Sequence, residues 1–145
     1  MSIKVNGINY GWGDVDTKIP GLNLVLQEIS YDDEQEMEES YGKGSRPRGY
    51  GKGNYKGSGK MSMLRDDYDD VLDYCKATGR PFYGVELPSV VVSYGNPGGR
   101  TRIDELKRVV FVKRSHKAAQ GDKTLTVDID LMIVGGIVED GVGPV

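Results

Sequence analysis

His116 is the only histidine of the chain and follows directly on Ser115; Cys75 is the only cysteine. A Ser–His pair does nucleophilic chemistry only when a third group orients the imidazole and an oxyanion hole faces the hydroxyl, and adjacency in sequence supplies neither. His116 therefore reads as a surface side chain in a polar turn. A zinc site needs three or four thiolate or imidazole ligands, and these two residues are all the chain offers. Cys75 reads instead as a member of an apolar helix stripe. Carboxylates cluster at Asp66, Asp67, Asp69, Asp70 and Asp73, and again over residues 32–39. Neither cluster alternates ligands around a central glycine as a calcium loop does, so both read as solvated or partner-facing surface. Gly59-Lys60 invites a phosphate-loop reading, but Asn54 and Met61 stand where that loop needs a glycine and a hydroxyl residue. The expectation is a protein with no catalytic residues, no metal and no cofactor.

The residue pattern that does stand out is a reversal of charge. Asp32, Asp33, Glu34, Glu36, Glu38 and Glu39 come first, without a base among them. Residues 41–60 then carry Lys43, Arg46, Arg48, Lys52, Lys56 and Lys60, without an acid, and are punctuated by seven glycines and by Tyr41, Tyr50 and Tyr55. So polar and glycine-rich a stretch buries too little apolar surface to offset the entropy of ordering it. Unless another molecule holds it, this arm over residues 32–60 is expected to be mobile. Its acidic and basic ends would meet their opposites on neighbouring copies of the chain.

The 145 residues allow one domain, 1–145, with a single core. A net charge of −3 and a pI near 5.2 argue against a general nucleic-acid binder. One cysteine permits no internal disulfide and fits a reducing compartment. The first residues lack a charged-then-apolar signal pattern, and the longest apolar run, 131–138, is too short to span a bilayer. A soluble protein made in a cytoplasm, without a membrane anchor, is expected.

The elements that would position these residues are mostly strands. Ile3 to Tyr10 reads as a hairpin around Asn6-Gly7, and 11–21 as a loop holding Trp12. Over 22–31 the alternation of Leu22, Leu24 and Leu26 with Asn23 and Gln27 predicts a half-buried strand. Extended chain resumes at 60–64, and Asp66 or Asp67 is the expected N-cap of the one helix, running to Thr78. That helix has Tyr68, Val71, Leu72 and Cys75 as its apolar stripe, and Gly79 as its stop. Strands follow at 83–94, where Pro88 argues for an edge or bulge, and at 102–113, with 109–112 buried. A turn at Asn96-Pro97-Gly98-Gly99 separates these two, and a polar tip at 117–122 leads on. A last strand at 124–134 turns Leu125, Val127, Ile129, Leu131 and Ile133 inward and Asp128 and Asp130 outward. The expected fold class is mainly β: a sandwich or barrel with one flanking helix and a long extended arm or hairpin.

The order strand, long arm, strand into a lone helix, then long strands with a polar hairpin resembles the tail tube proteins of contractile-tailed bacteriophages. The residues that carry the resemblance are Gly57-Ser58-Gly59-Lys60-Met61-Ser62-Met63, the helix over 66–78, the strand over 103–113 and the stretch opening Gln120-Gly121-Asp122-Lys123-Thr124 and closing at Gly136. It covers the chain from about Leu22 onward. It implies a structural virion protein of the tail tube. Six copies would form a ring whose inner sheets join around a lumen, and rings would stack into the conduit for genome delivery. The implied partners are further copies of the chain, and the tail sheath, tape-measure, baseplate hub and tail terminator proteins. DNA would pass through the lumen without specific binding. Residues 32–60 would make inter-subunit or inter-ring contacts, and Asp128 and Asp130 are candidates to line the lumen.

Two other functions fit the residues. A tube of a phage-tail-like bacteriocin or of a type VI-like injection system has the same parts. A β-domain binding single-stranded nucleic acid through residues 41–60 would use their interleaved Gly, Tyr and basic residues, against repulsion from the neighbouring carboxylates.

Overall fold

Alternation decides the last strand. Val127, Ile129, Leu131 and Ile133 are buried, whereas the side chains between them are partly or fully exposed, as a period of two on a half-covered sheet requires. A computed structural model describes residues 11–41, 47–95, 101–121 and 123–145. The expected hairpin at 3–10 and the turn at 96–99 lie outside the described residues, as do Lys43 and Arg46. The strands are β1 (Val15–Lys18), β2 (Leu26–Tyr41), β3 (Pro47–Leu64), β4 (Glu86–Tyr94), β5 (Arg102–Lys117) and β6 (Thr126–Glu139). The helix α1 (Arg65–Thr78) follows β3 directly. All six strands hydrogen-bond in one antiparallel sheet of order β1-β4-β5-β6-β3-β2.

One sheet becomes a two-layered core because β5 and β6 bend together. Pairing passes from Lys107–Gly136 to Val109–Ile133, so two steps of β5 stand against three of β6. Arg108 (φ 53°) and Gly136 (φ 93°) take the left-handed backbone that such a bulge demands. At Gly135 a Cβ would lie 2.8 Å from the Lys107 carbonyl oxygen, so only glycine lets the strands approach. Beyond the bend, β4 and the first half of β5 lie over β2. The Tyr31 hydroxyl on β2 reaches Tyr94 on β4 and Asp104 on β5. Between the layers, Met61, Met63, Val90, Val92, Leu106, Val109 and Ile129 are fully buried. Each contributes about 1.5–3 kcal/mol by leaving water.

The helix closes one end of this core with Tyr68, Val71 and Cys75, and Phe82 stacks on Phe111 at 4.7 Å beside it. Its N-cap is Leu64, not Asp66 or Asp67. Those two carboxylates lie within the first turn, where they favour the positive end of the helix dipole. Gly79 stops the helix at φ 71°.

Several boundaries differ from the sequence expectation. The segment 11–21 is not a plain loop: Trp12–Asp14 is a 3-10 turn and Val15–Lys18 pairs with β4. The second strand starts at Leu26, and β4 starts at Glu86 after a 3-10 turn, Phe82–Gly84. Pro88 sits on the part of β4 that β1 leaves uncovered, since β1 reaches only Val91 to Tyr94. Val112 is exposed because it falls at a second register shift, between Phe111 and Lys113, and Leu125 is exposed just before β6 begins.

The expected long arm or hairpin is a hairpin, more regular than its composition suggests. Over 32–41 and 47–60 the chain is strand: β2 and β3 pair from Leu26–Met63 up to Tyr41–Pro47. Local composition misses this because the order comes from the partner strand and from side chains across the ladder. Tyr55 donates to Asp33 at 2.6 Å and accepts the Ile137 amide at 3.2 Å, fixing the root of the hairpin. Strand β3 pairs with β6 only over Gly57–Leu64. Before Gly57 it has, among the described residues, only β2 beside it, so the hairpin projects from the sheet as a two-stranded ribbon.

Candidate assembly surfaces

The acidic run lies on β2 and the basic run on β3, facing each other in register. Glu34 opposes Lys56, with 3.6 Å between their charges. Asp32 accepts from the Ser58 hydroxyl at 2.8 Å, and Glu36 from the Asn54 amide at 3.1 Å. Lys52 opposes Met37, Glu38 opposes Gly51, Glu39 opposes Tyr50, and Arg48 lies near the start of β3. The charge reversal in the sequence is thus a pair of complementary strands within one hairpin. The Glu34 and Lys56 side chains are 67% and 74% exposed, so their attraction adds little to stability.

The open face of the sheet extends this pattern. Asp128 and Asp130 point to that face, away from buried Val127 and Ile129. One rung across it reads Ser30, Lys60, Asp130, Lys113; the next reads Glu28, Ser62, Asp128, Ser115. Lys60 lies 3.7 Å from Asp128, which also accepts from Ser62. Successive strands therefore present acidic (β2), basic (β3), acidic (β6) and basic (β5) columns, and no column stands more than one strand from its opposite.

Chemistry-bearing groups are dispersed. His116 lies on β5 rather than in a turn, its ring edge-on to Tyr68 at 5.1 Å. Ser115 opposes Asp128 while His116 opposes Val127, so the two point to opposite faces. Among the described residues no three His, Cys, Asp or Glu side chains gather to hold a metal. Burial pushes the Cys75 thiol up from its ordinary range. It also pushes the Tyr31 and Tyr55 hydroxyls up, reinforced by their bonds to Asp104 and Asp33. These two phenols stay protonated as structural donors.

Two features escaped the sequence reading. One is the free edge of β2: it ends the sheet order, so among the described residues all sixteen from Leu26 to Tyr41 have a strand on one side only. Such an edge is a template for another chain. The other is a cation-and-ring corner in which Arg114 lies 4.6 Å over Phe82 and donates to Tyr68 at 3.0 Å. The edge was hidden by the arm's composition. The corner was hidden because its members come from three separate elements.

This is the fold of tail tube proteins. No known family model and no curated protein matches the sequence, but solved structures do match along most of the chain. The anti-feeding prophage tube-terminating cap superposes with a TM-score of 0.67 at 12% identity, over 92% of this chain and 90% of that one. A chain of the sheath–tube complex of the extracellular contractile injection system PVC gives 0.66 at 9% identity, over 92% and 93%. The SPP1 tail tube gives 0.63 at 14% identity, over 92% and 80%. At such identities the likeness establishes the fold. No helix among the described residues is long and apolar enough to cross a membrane.

Proposed function

We propose that this protein is the building block of a tail tube, a structural and non-enzymatic subunit whose copies close into rings that stack. The observation that carries the reading is the free edge of β2 on a fold shared, over nine-tenths of this chain, with tube components. An edge of sixteen residues is a liability in a monomer, and a ring of sheets that closes removes it. A contact of unlike surfaces that closes by rotation makes a ring. By analogy with the resembled family the ring has six copies. The open face with Asp128 and Asp130 lines its lumen, where alternating charged columns leave no continuous basic track to hold a polyanion. The 32–60 hairpin makes the contacts between subunits and rings. In this reading the protein is made in a bacterial host's cytoplasm and resides in the virion. Sheath, tape-measure, baseplate hub and terminator proteins are its partners, and the genome is its cargo.

The second reading is the tube of a phage-like injection device without a genome, favoured by the likeness to the AFP and PVC assemblies. Nucleic-acid binding by residues 41–60 loses ground because Lys56 faces Glu34 across the hairpin. Negative-stain microscopy of concentrated protein, paired with a sizing column, tests the proposal. Rings or hollow tubes of uniform width are expected; a strict monomer that binds single-stranded DNA with steep salt dependence would overturn it.

A further inference from the structure

Arg114 is exposed, yet its guanidinium is held by contacts with three aromatic side chains. Its guanidinium lies 4.6 Å over the Phe82 ring and 5.5 Å over the Tyr83 ring, and it donates to the Tyr68 hydroxyl at 3.0 Å. It has no carboxylate partner among the described residues. Arg65 beside it is already paired with Asp69 at 3.1 Å, and its Nη1 lies 3.5 Å from His116 Nδ1. A guanidinium fixed over aromatic rings has little rotamer entropy left to lose on binding, and Arg with aromatic neighbours is the usual chemistry of an interface anchor. What it lacks is an acid.

That acid cannot come from the same ribbon. Arg114 stands opposite Ile129, whereas the ribbon leaves the sheet at the Gly57–Ile133 pair and runs the other way. Glu38, five residues beyond Asp33 at the ribbon root, is exposed and has no ion pair among the described residues. Nine strand steps, about 30 Å, separate the levels of Glu38 and Arg114. One end of the subunit thus carries an unpaired carboxylate on a projecting ribbon, and the opposite end an unpaired, pre-set guanidinium.

We infer that the Arg114 corner is the receiving site for the ribbon carboxylate of a second copy, Glu38 of one subunit pairing with Arg114 of the next along the strand axis. The inference rests on the tube reading and deepens it by assigning the axial contact. A contact between opposite ends does not close on itself, and so propagates as a stack.

The test is a charge swap in the full-length protein, with assemblies counted by microscopy and the critical concentration measured by pelleting. Arg114→Glu and Glu38→Arg are each expected to leave rings but abolish tubes, or raise the critical concentration about tenfold or more, as a broken close charge pair does. The double variant is expected to restore tubes. Far-UV circular dichroism and melting check that each variant folds. If Arg114→Glu fails to fold, Arg114→Gln and Glu38→Gln take the place of the swap: each alone is expected to raise the critical concentration, and the two together no more than either one, since both remove the same pair. Tubes unaffected by either single change, or charge-swap defects that the double swap does not rescue, overturn this contact alone. Wild-type protein that forms neither rings nor tubes overturns the tube reading and the contact with it.

Discussion

The Tyr31 hydroxyl donates to the Asp104 carboxylate, tying β2 to β5 although β3 and β6 lie between them in the sheet. The bond is the clasp of the two-layered core, and with the Tyr31–Tyr94 contact it holds β2 under β4 and β5. Among the described residues no strand pairs with the outer edge of β2.

Tyr31→Phe should lower stability by about 1–3 kcal/mol, because Asp104 loses its donor in a partly buried site. The phenol is pushed above its ordinary value of 10 by burial and by Asp104. A raised pKa in the folded state means that its contribution is complete below about pH 10 and is lost as pH climbs above it. Urea titrations from pH 7 to 11 check this. Wild type should weaken above pH 10 more steeply than Tyr31→Phe, and parallel curves would remove the clasp from the account.

Gly135→Ala should cost several kcal/mol. A Cβ there meets the Lys107 backbone at 2.8 Å, and β5 and β6 would have to part where they bend together. Thermal melting measures it. A melting point within about 2 °C of wild type, under 1 kcal/mol at this size, would mean that the bend tolerates a side chain.

Lys56→Ala should change stability by no more than about 1 kcal/mol, since both partners of its ion pair are exposed. Tyr55→Phe should cost more, because its hydroxyl bridges Asp33 and the Ile137 amide at the ribbon root. Paired denaturation curves compare the two. The reverse order would place the ribbon's anchorage in its charges instead.

Asp128→Asn with Asp130→Asn leaves the packing face untouched, so subunits should fold and assemble. If the open face lines the lumen, particles carrying both changes should lose infectivity or cargo delivery per assembled particle, because Lys60 and Lys113 are then unopposed on one rung. Unchanged assembly together with unchanged delivery would remove these residues from the lumen.

Much of the fold was legible in the sequence. Alternation at Val127 to Ile133 gave β6 its inward face, and Tyr68, Val71 and Cys75 marked the buried side of the helix. What escaped was set by pairing over distance. The Gly- and Lys-rich β3 has weak strand character of its own and becomes a strand between β2 and β6. Exposure of Val112 follows from a bulge that no local pattern announces. For the candidate site, the charges of 32–60 were visible, but their facing arrangement within one hairpin depended on register. Arg114 was invisible because Tyr68, Phe82 and β5 meet only in three dimensions.

The central claim is that the free edge of β2 is the edge that assembles. Amide hydrogen exchange across Leu26–Tyr41, measured in dispersed subunits and in assembled material, tests it most directly. Alternate amides of that strand should exchange freely in the subunit and become strongly protected on assembly, while those bonded to β3 change little. Assembled tubes whose β2 amides exchange as fast as in the monomer would contradict the account.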